Sequence, residues 1–167
     1  MKRFKFVLLL FLLSLFATAC SEPIPEGFYD YNKEKVEAAV NELSFQPQLP
    51  KFVPIEVDFL ISDQYQDTET EAEALDVSFY TSDNDLLSIQ FINGEAEGSF
   101  FQPEQIQIDE QVSGQYVDNT YAKILFWHND HITYKMTYRA SADDRQQQQN
   151  NKVTKNDLLK VAQSFDS

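Results

Sequence analysis

The chain has 167 residues, a formal charge of −14 and an aromatic content of 14%, with fourteen Phe, eight Tyr and only four Gly. So acidic a chain has no basic patch with which to displace counterions, which excludes a nucleic-acid partner. Beyond its first twenty residues the chain is long enough for one domain with its own core, and the aromatic content leans toward strands.

Lys2, Arg3 and Lys5 precede an apolar run from Phe6 to Phe16 that is broken only by Ser14, and the small residues Ala17, Thr18 and Ala19 come next. A spanning helix needs roughly 20 apolar residues, whereas the run from Phe6 to Ala19 reaches fourteen. Residues 1–19 therefore read as an export signal rather than a permanent anchor. Two processing routes are open at its end. Ala17-Thr18-Ala19 fits the small-x-small rule of ordinary secretion, which leaves Cys20, the only cysteine, as a free thiol on an exported protein. Ala19-Cys20-Ser21 resembles instead the lipobox of bacterial lipoproteins, with Ala17 where leucine is preferred. There the thiol takes a diacylglycerol and the peptidase cuts just before it. Two acyl chains anchor a protein stably where one is marginal. The expectation is lipidation at Cys20, on the extracytoplasmic face of the cell membrane. No disulfide forms within the chain, and no thiol is left for catalysis or metal binding. Loss of the three signal cations takes the formal charge from −14 to −17. Such a domain stands off an anionic bilayer, and its charge serves solubility or a cationic partner.

Residues 20–31, the cysteine followed by "SEPIPEGFYDY", read as a lipidated end and short tether, and residues 32–167 as a single domain. Val36, Ala39, Val40 and Leu43 form an amphipathic stripe that Asn32 can cap and Pro47 stops. "FQPQLPKFVP" is an irregular connector. Ile55, Val57, Phe59 and Ile61 alternate with Glu56 and Asp58, which predicts a strand with the apolar set inward. Residues 63–74 read as a long solvated acidic loop. A chain reversal at "SDND" sets Leu75 opposite Phe91, Val77 opposite Ile89 and Phe79 opposite Leu87.

"QIQIDE" and "SGQYV" predict two short strands. In "YAKILFWHNDHITYKMTYR" a turn at Asn129-Asp130 predicts a hairpin with Trp127 beside Ile132, Leu125 beside Tyr134 and Tyr121 beside Tyr138, and with Thr133, Lys135 and Thr137 facing water. That register sends Ile124 and Phe126 to the other side of the sheet. Either this side is covered or it carries an apolar patch, which makes Ile124 and Phe126 the candidate partner surface. "SADDRQQQQNN" is a polar loop, and Thr154 with Asp157 opens a closing helix striped by Leu158, Val161, Ala162 and Phe165. The sum is an α+β domain: an antiparallel sheet of about six or seven strands, with an N-terminal and a C-terminal helix on one face.

"QLPKFVP", "VSFYTSDNDLLSIQF", "ILFWHNDHITYKM" and "LLKVAQSF" resemble a domain-of-unknown-function family of surface lipoproteins and anti-sigma-associated proteins of Gram-positive bacteria. The resemblance covers roughly residues 36–165 and implies no catalytic residues. A looser similarity is to lipoprotein-carrier-like half-barrels.

Residue constellations point away from catalysis. His128 and His131 with Asp130 fall short of the three or four protein ligands of a zinc site. "DNDLL" lacks the glycine and glutamate of a calcium loop. The alternating Asp67, Glu69, Glu71 and Glu73 read as solvated, and "GEAEG" has Ala96 where a nucleophile elbow needs serine. No cofactor, metal or catalytic residue is expected. The expected role is a non-catalytic binding or regulatory module of the cell envelope. Its partners are the membrane, through the lipid, and an envelope protein or cationic ligand. The alternatives are an acyl-chain carrier and an envelope hydrolase with a carboxylate site.

Overall fold

Where the backbone hydrogen bonds of so many short apolar runs go is answered by one sheet. The computed structural model describes residues 23–68, 70–98, 100–119, 121–141 and 152–165. The export signal, Cys20 and most of the glutamine-rich segment lie outside the described residues. Helix α1 spans Lys33–Val40, followed by strands β1 (Phe59–Gln66), β2 (Glu73–Tyr80), β3 (Leu86–Asn93), β4 (Glu104–Gln107), β5 (Ser113–Asp118), β6 (Lys123–Asn129) and β7 (Ile132–Arg139), and then by helix α2 (Lys155–Gln163). The strands form one seven-stranded sheet in the order β1-β2-β3-β7-β6-β5-β4, with every neighbouring pair antiparallel. Two meanders, β1–β3 and β4–β7, are thus joined along β3 and β7.

Because side chains alternate across a strand, the register sorts them into two faces. Leu75, Val77 and Phe79 stand opposite Phe91, Ile89 and Leu87, as the sequence predicts. Tyr134, Met136 and Tyr138 continue these rows on β7, and Leu125 and Trp127 continue two of them on β6. All of these are buried, and Val36 and Val40 of α1 and Leu158, Val161 and Ala162 of α2 belong to the same cluster. Both helices are short and rely on their caps. Asn32 Oδ1 accepts from Lys35 N at 3.0 Å. Thr154 and Asp157 form the reciprocal capping box. The ring of Phe165, just past α2, meets Trp127 and Tyr134 edge-on at 5.3 and 5.4 Å, while those two stack at 5.1 Å.

The first strand corrects the sequence reading. β1 begins only at Phe59, after Asp58 N has bonded Tyr80 O at 2.8 Å. Leu60, opposite Phe79, is the residue that enters the core, and Phe59 and Ile61 are each 50% exposed. A one-residue shift flips a whole strand face. Ile55 is still buried, but in the irregular connector with Val53. At the sheet edge the inward positions can be polar, because α1 receives them: Gln64 Nε2 donates to Ala39 O at 3.4 Å. The acidic loop is correspondingly shorter than 63–74, since β1 runs to Gln66 and β2 starts at Glu73. Asp67 closes the turn by accepting from Thr70 N and Thr70 Oγ1, both at 2.9 Å.

The tether is shorter too. Phe28 and Tyr31 are buried, Tyr29 and Val53 exchange backbone bonds of 2.9 and 3.0 Å, and Tyr31 Oη donates to Pro50 O at 2.6 Å. The hairpin turn lies one residue later than expected, at Asp130 and His131, whose φ values of 48° and 62° suit a primed two-residue turn. Trp127 therefore pairs with Tyr134 instead of Ile132, Leu125 with Met136, and Lys123 takes the place opposite Tyr138 expected for Tyr121. The slide is two residues, so every side chain keeps its face, and it brings the Trp127 and Tyr134 rings into register for stacking.

Leu158 is fully buried in the central cluster. Leu158→Ala should cost about 2–5 kcal/mol in a denaturation experiment; a loss below about 0.5 kcal/mol would mean that α2 is not docked.

Candidate functional site

The outer face, opposite the central cluster, is divided into a covered half and an open half. Gly94, at φ 107°, turns the chain out of β3, and the connector to β4 crosses over β7 and β6. Thr133 Oγ1 donates to Gly94 O at 2.7 Å and accepts from Ala96 N at 2.9 Å. His128 Nδ1 lies 2.9 Å from the same hydroxyl. The Phe100 ring meets Phe126 edge-on at 5.5 Å. Gly98 lies so close that a Cβ there would stand 3.1 Å from the Phe126 ring. Phe126 is consequently only 5% exposed. Of the two sequence alternatives the covered one holds here, so Phe126 is not a ready contact surface. Thr133 and Thr137, expected to face water, are buried as well.

Ile124 is half-buried at the margin of this cover. It lines a depression of about 630 Å³ with Phe100, Phe101, Tyr116, Val117 and Asp118. Phe101 is 87% exposed. Lys155 Nζ stands 5.9 Å from the Tyr116 ring centroid and 2.7 Å from Glu104 Oε1. Burial first, and Asp118 beside it, hold the Tyr116 hydroxyl well above its ordinary pKa.

The open half belongs to β1 and β2, since the outward Ser88 and Ile92 of β3 are buried. Phe59 stands opposite Tyr80, Ile61 opposite Ser78, Asp63 opposite Asp76 and Tyr65 opposite Ala74. Phe59 and Tyr80 stack at 4.7 Å. Ile61, Asp63, Tyr65, Asp76, Ser78 and Tyr80 line a shallow trough of about 390 Å³. Its central carboxylate is fixed. Asp76 Oδ1 accepts from Ser78 Oγ at 2.8 Å, and Oδ2 accepts from Ser88 Oγ at 2.8 Å and Gln90 Nε2 at 3.0 Å. Burial, then Asp76, Asp67 and Asp63 in turn, push the Tyr65 hydroxyl up to about 12. The sequence reading overlooked this group, although the signal was present. Once Leu75, Val77 and Phe79 face inward, Asp76, Ser78 and Tyr80 must share the other face.

His128 stands opposite Thr133 and not His131, and no group of His, Cys, Asp and Glu among the described residues could hold a metal ion. The turn after β2 is less solvated than expected. Asp85 is 2% exposed, and its Oδ1 accepts from Ser141 N at 2.8 Å while Oδ2 lies 3.4 Å from Lys152 Nζ. It ties the turn to the chain after β7 and to the approach of α2. Of the acidic run, Glu73 begins β2, and the Ser44 hydroxyl and amide bonded to it hold its carboxyl below the usual range. Glu69 lies outside the described residues. No helix among the described residues is long and apolar enough to cross a membrane. Comparison with known protein families, curated proteins and solved structures finds no match for this chain.

Two measurements check this division of the outer face. Phe126→Ser removes a covered ring and buries a hydroxyl, so it should destabilise by about 3–5 kcal/mol; a near-neutral result would mean an open face. Tyr65 retains its proton when folded, while in the unfolded chain it ionises near its ordinary value of 10.0. Its contribution to stability is therefore intact below pH 10.0 and lost as pH rises from there to about 12. Tyrosinate absorbance should show a transition near pH 12 that is missing in Tyr65→Phe and shifted down in Asp76→Asn.

Proposed function

We propose that this protein is a lipid-anchored, extracytoplasmic binding module of the cell envelope, non-catalytic, with a cationic or basic envelope partner. The observation that carries the reading is the open half of the outer face. Exposed Phe59 and Ile61 there lie beside Asp63 and the fixed carboxylate of Asp76, in a chain of formal charge −14. Exposed apolar side chains grouped with one sign of charge mark an interaction surface. Both oxygens of Asp76 are engaged by Ser78, Ser88 and Gln90, which orients the carboxylate for recognition. The inner face of the sheet is taken up by the protein's own side chains, Trp127, Tyr134 and Leu158 among them, which favours recognition on the outside over an acyl chain held within. The finer architecture, an α+β domain with both helices on the inner face, fits the same picture, because it leaves the outer face to a partner.

The anchor rests on Cys20 at the end of an apolar run too short to span. The eight residues from Cys20 to Gly27 reach at most about 29 Å, so the domain is held close to the bilayer. Mass spectrometry of the mature N-terminus should find a diacylglyceryl cysteine, and Cys20→Ala should release the protein or stall its processing. An unmodified cysteine on a soluble protein sinks the anchored reading. In-cell cross-linking from the outer face should then capture an envelope protein.

A further inference from the structure

Resting on the reading of the domain as a binding module, we propose that the open face of β1 and β2 docks a basic protein segment, one arginine or lysine of which lies in the trough between Tyr65 and Tyr80 and pairs with Asp63 and Asp76. The register places Asp63 directly opposite Asp76, a like-charge cross-strand pair that costs stability unless a cation joins it. Among the described residues no basic side chain lines the trough. Along the same row the first cation is Lys135 on β7, beyond Gln90 and beside Phe126. Asp76 is already oriented by Ser78, Ser88 and Gln90, so a ligand need not order it.

The walls choose the kind of cation. A metal ion gains nothing from tyrosine rings, whereas an ammonium or guanidinium is attracted to an aromatic face within about 6 Å of its centroid. The stem of a long basic side chain also needs an apolar support, which Ile61 and Tyr80 provide within the trough itself. That apolar shelf extends past the trough to Phe59, which does not line it. A small free cation would leave the shelf exposed, while a polypeptide covers both. Docking is by side chains on the face rather than by addition of a strand to the edge. Lys35 Nζ already occupies the Leu60 carbonyl at 2.7 Å, and Gln64 reaches across to α1.

The test uses the full chain in nonionic detergent and a synthetic seven-residue peptide with three arginines spaced by serines, followed by calorimetry. The peptide should bind, and Asp63→Asn and Tyr65→Leu should each weaken it about tenfold, equivalent to about 1.4 kcal/mol. Glu110→Gln makes the same charge change in the turn between β4 and β5, at the opposite edge, and should leave affinity within about twofold. Phe59→Ser should weaken the peptide while leaving arginine amide unaffected. Thermal melts confirm that each variant is folded, and Asp63→Asn spares the hydrogen bonds of Asp76. Absence of binding, equal loss in Glu110→Gln, or arginine amide binding as tightly as the peptide would each overturn the proposal. A lipidated chain that cross-links to an envelope partner yet ignores the peptide would leave the proposed function standing and remove only this site.

Discussion

The pairing of β3 with β7 is the constraint on which the rest of the molecule depends. It joins Leu86–Asn93 to Ile132–Arg139, in register from Leu86 opposite Arg139 to Asn93 opposite Ile132. Each of the other sheet pairings lies within one of the two local meanders; this one makes them a single sheet. Its inward rows, Leu87 with Tyr138, Ile89 with Met136 and Phe91 with Tyr134, are almost wholly buried. Non-local pairing must overcome loop-closure entropy before its contacts form, so these large apolar pairs are where the sequence concentrates its burial. Because β4 begins the second meander at the far edge, the chain leaving β3 has to cross one face of the sheet to reach it. The inner face is filled by the central cluster, and the crossing runs over the outer one.

That crossing accounts for the features of the outer face that composition alone makes puzzling. Phe126 looks like an exposed apolar residue until the connector passes over it, and Thr133 looks solvated until its hydroxyl is seen to pin Gly94 and Ala96. The described contacts of the connector are with β7 and β6, and with β5 around the depression. Nothing described crosses β1 and β2, where Phe59, Ile61 and Tyr80 line up beside carboxylates.

Legibility in the sequence tracks the strength of its periodicity. Leu75, Val77 and Phe79 against Leu87, Ile89 and Phe91 could be paired residue for residue, because both runs alternate cleanly around a short turn. Thr154 with Asp157 announced α2 through a capping box. The β6–β7 turn was displaced by one residue because Asn129-Asp130 and Asp130-His131 are both plausible turn pairs, and only the Trp127–Tyr134 stack and the β3 partner discriminate between them. At β1 the alternation itself misled: Ile55 and Val57 belong to the connector, and Leu60 rather than Phe59 answers to Phe79. The open-face group was hidden for a related reason. Asp63, Tyr65 and Asp76 are separated by a turn, and only the β1–β2 register brings them together. The proposed anchor at Cys20, by contrast, rests on local sequence alone.

The place where the chain enters the domain also orients the open face. Gly27 and Tyr29 line one cleft with Thr81, Ser82 and Asp83 of the β2–β3 turn, and Tyr31 meets Phe79 edge-on at 5.3 Å. The entry thus lies at the end of the sheet where β1 starts and β2 finishes. The acidic turn from Asp67 to Ala72 lies at the opposite end. On the lipid-anchored reading the Phe59–Tyr80 shelf is nearer the bilayer, and Tyr65 with Asp67 points away from it. A basic partner approaching from outside would then meet the carboxylates first and the aromatic shelf last, so that long-range attraction guides its approach and short-range stacking holds it.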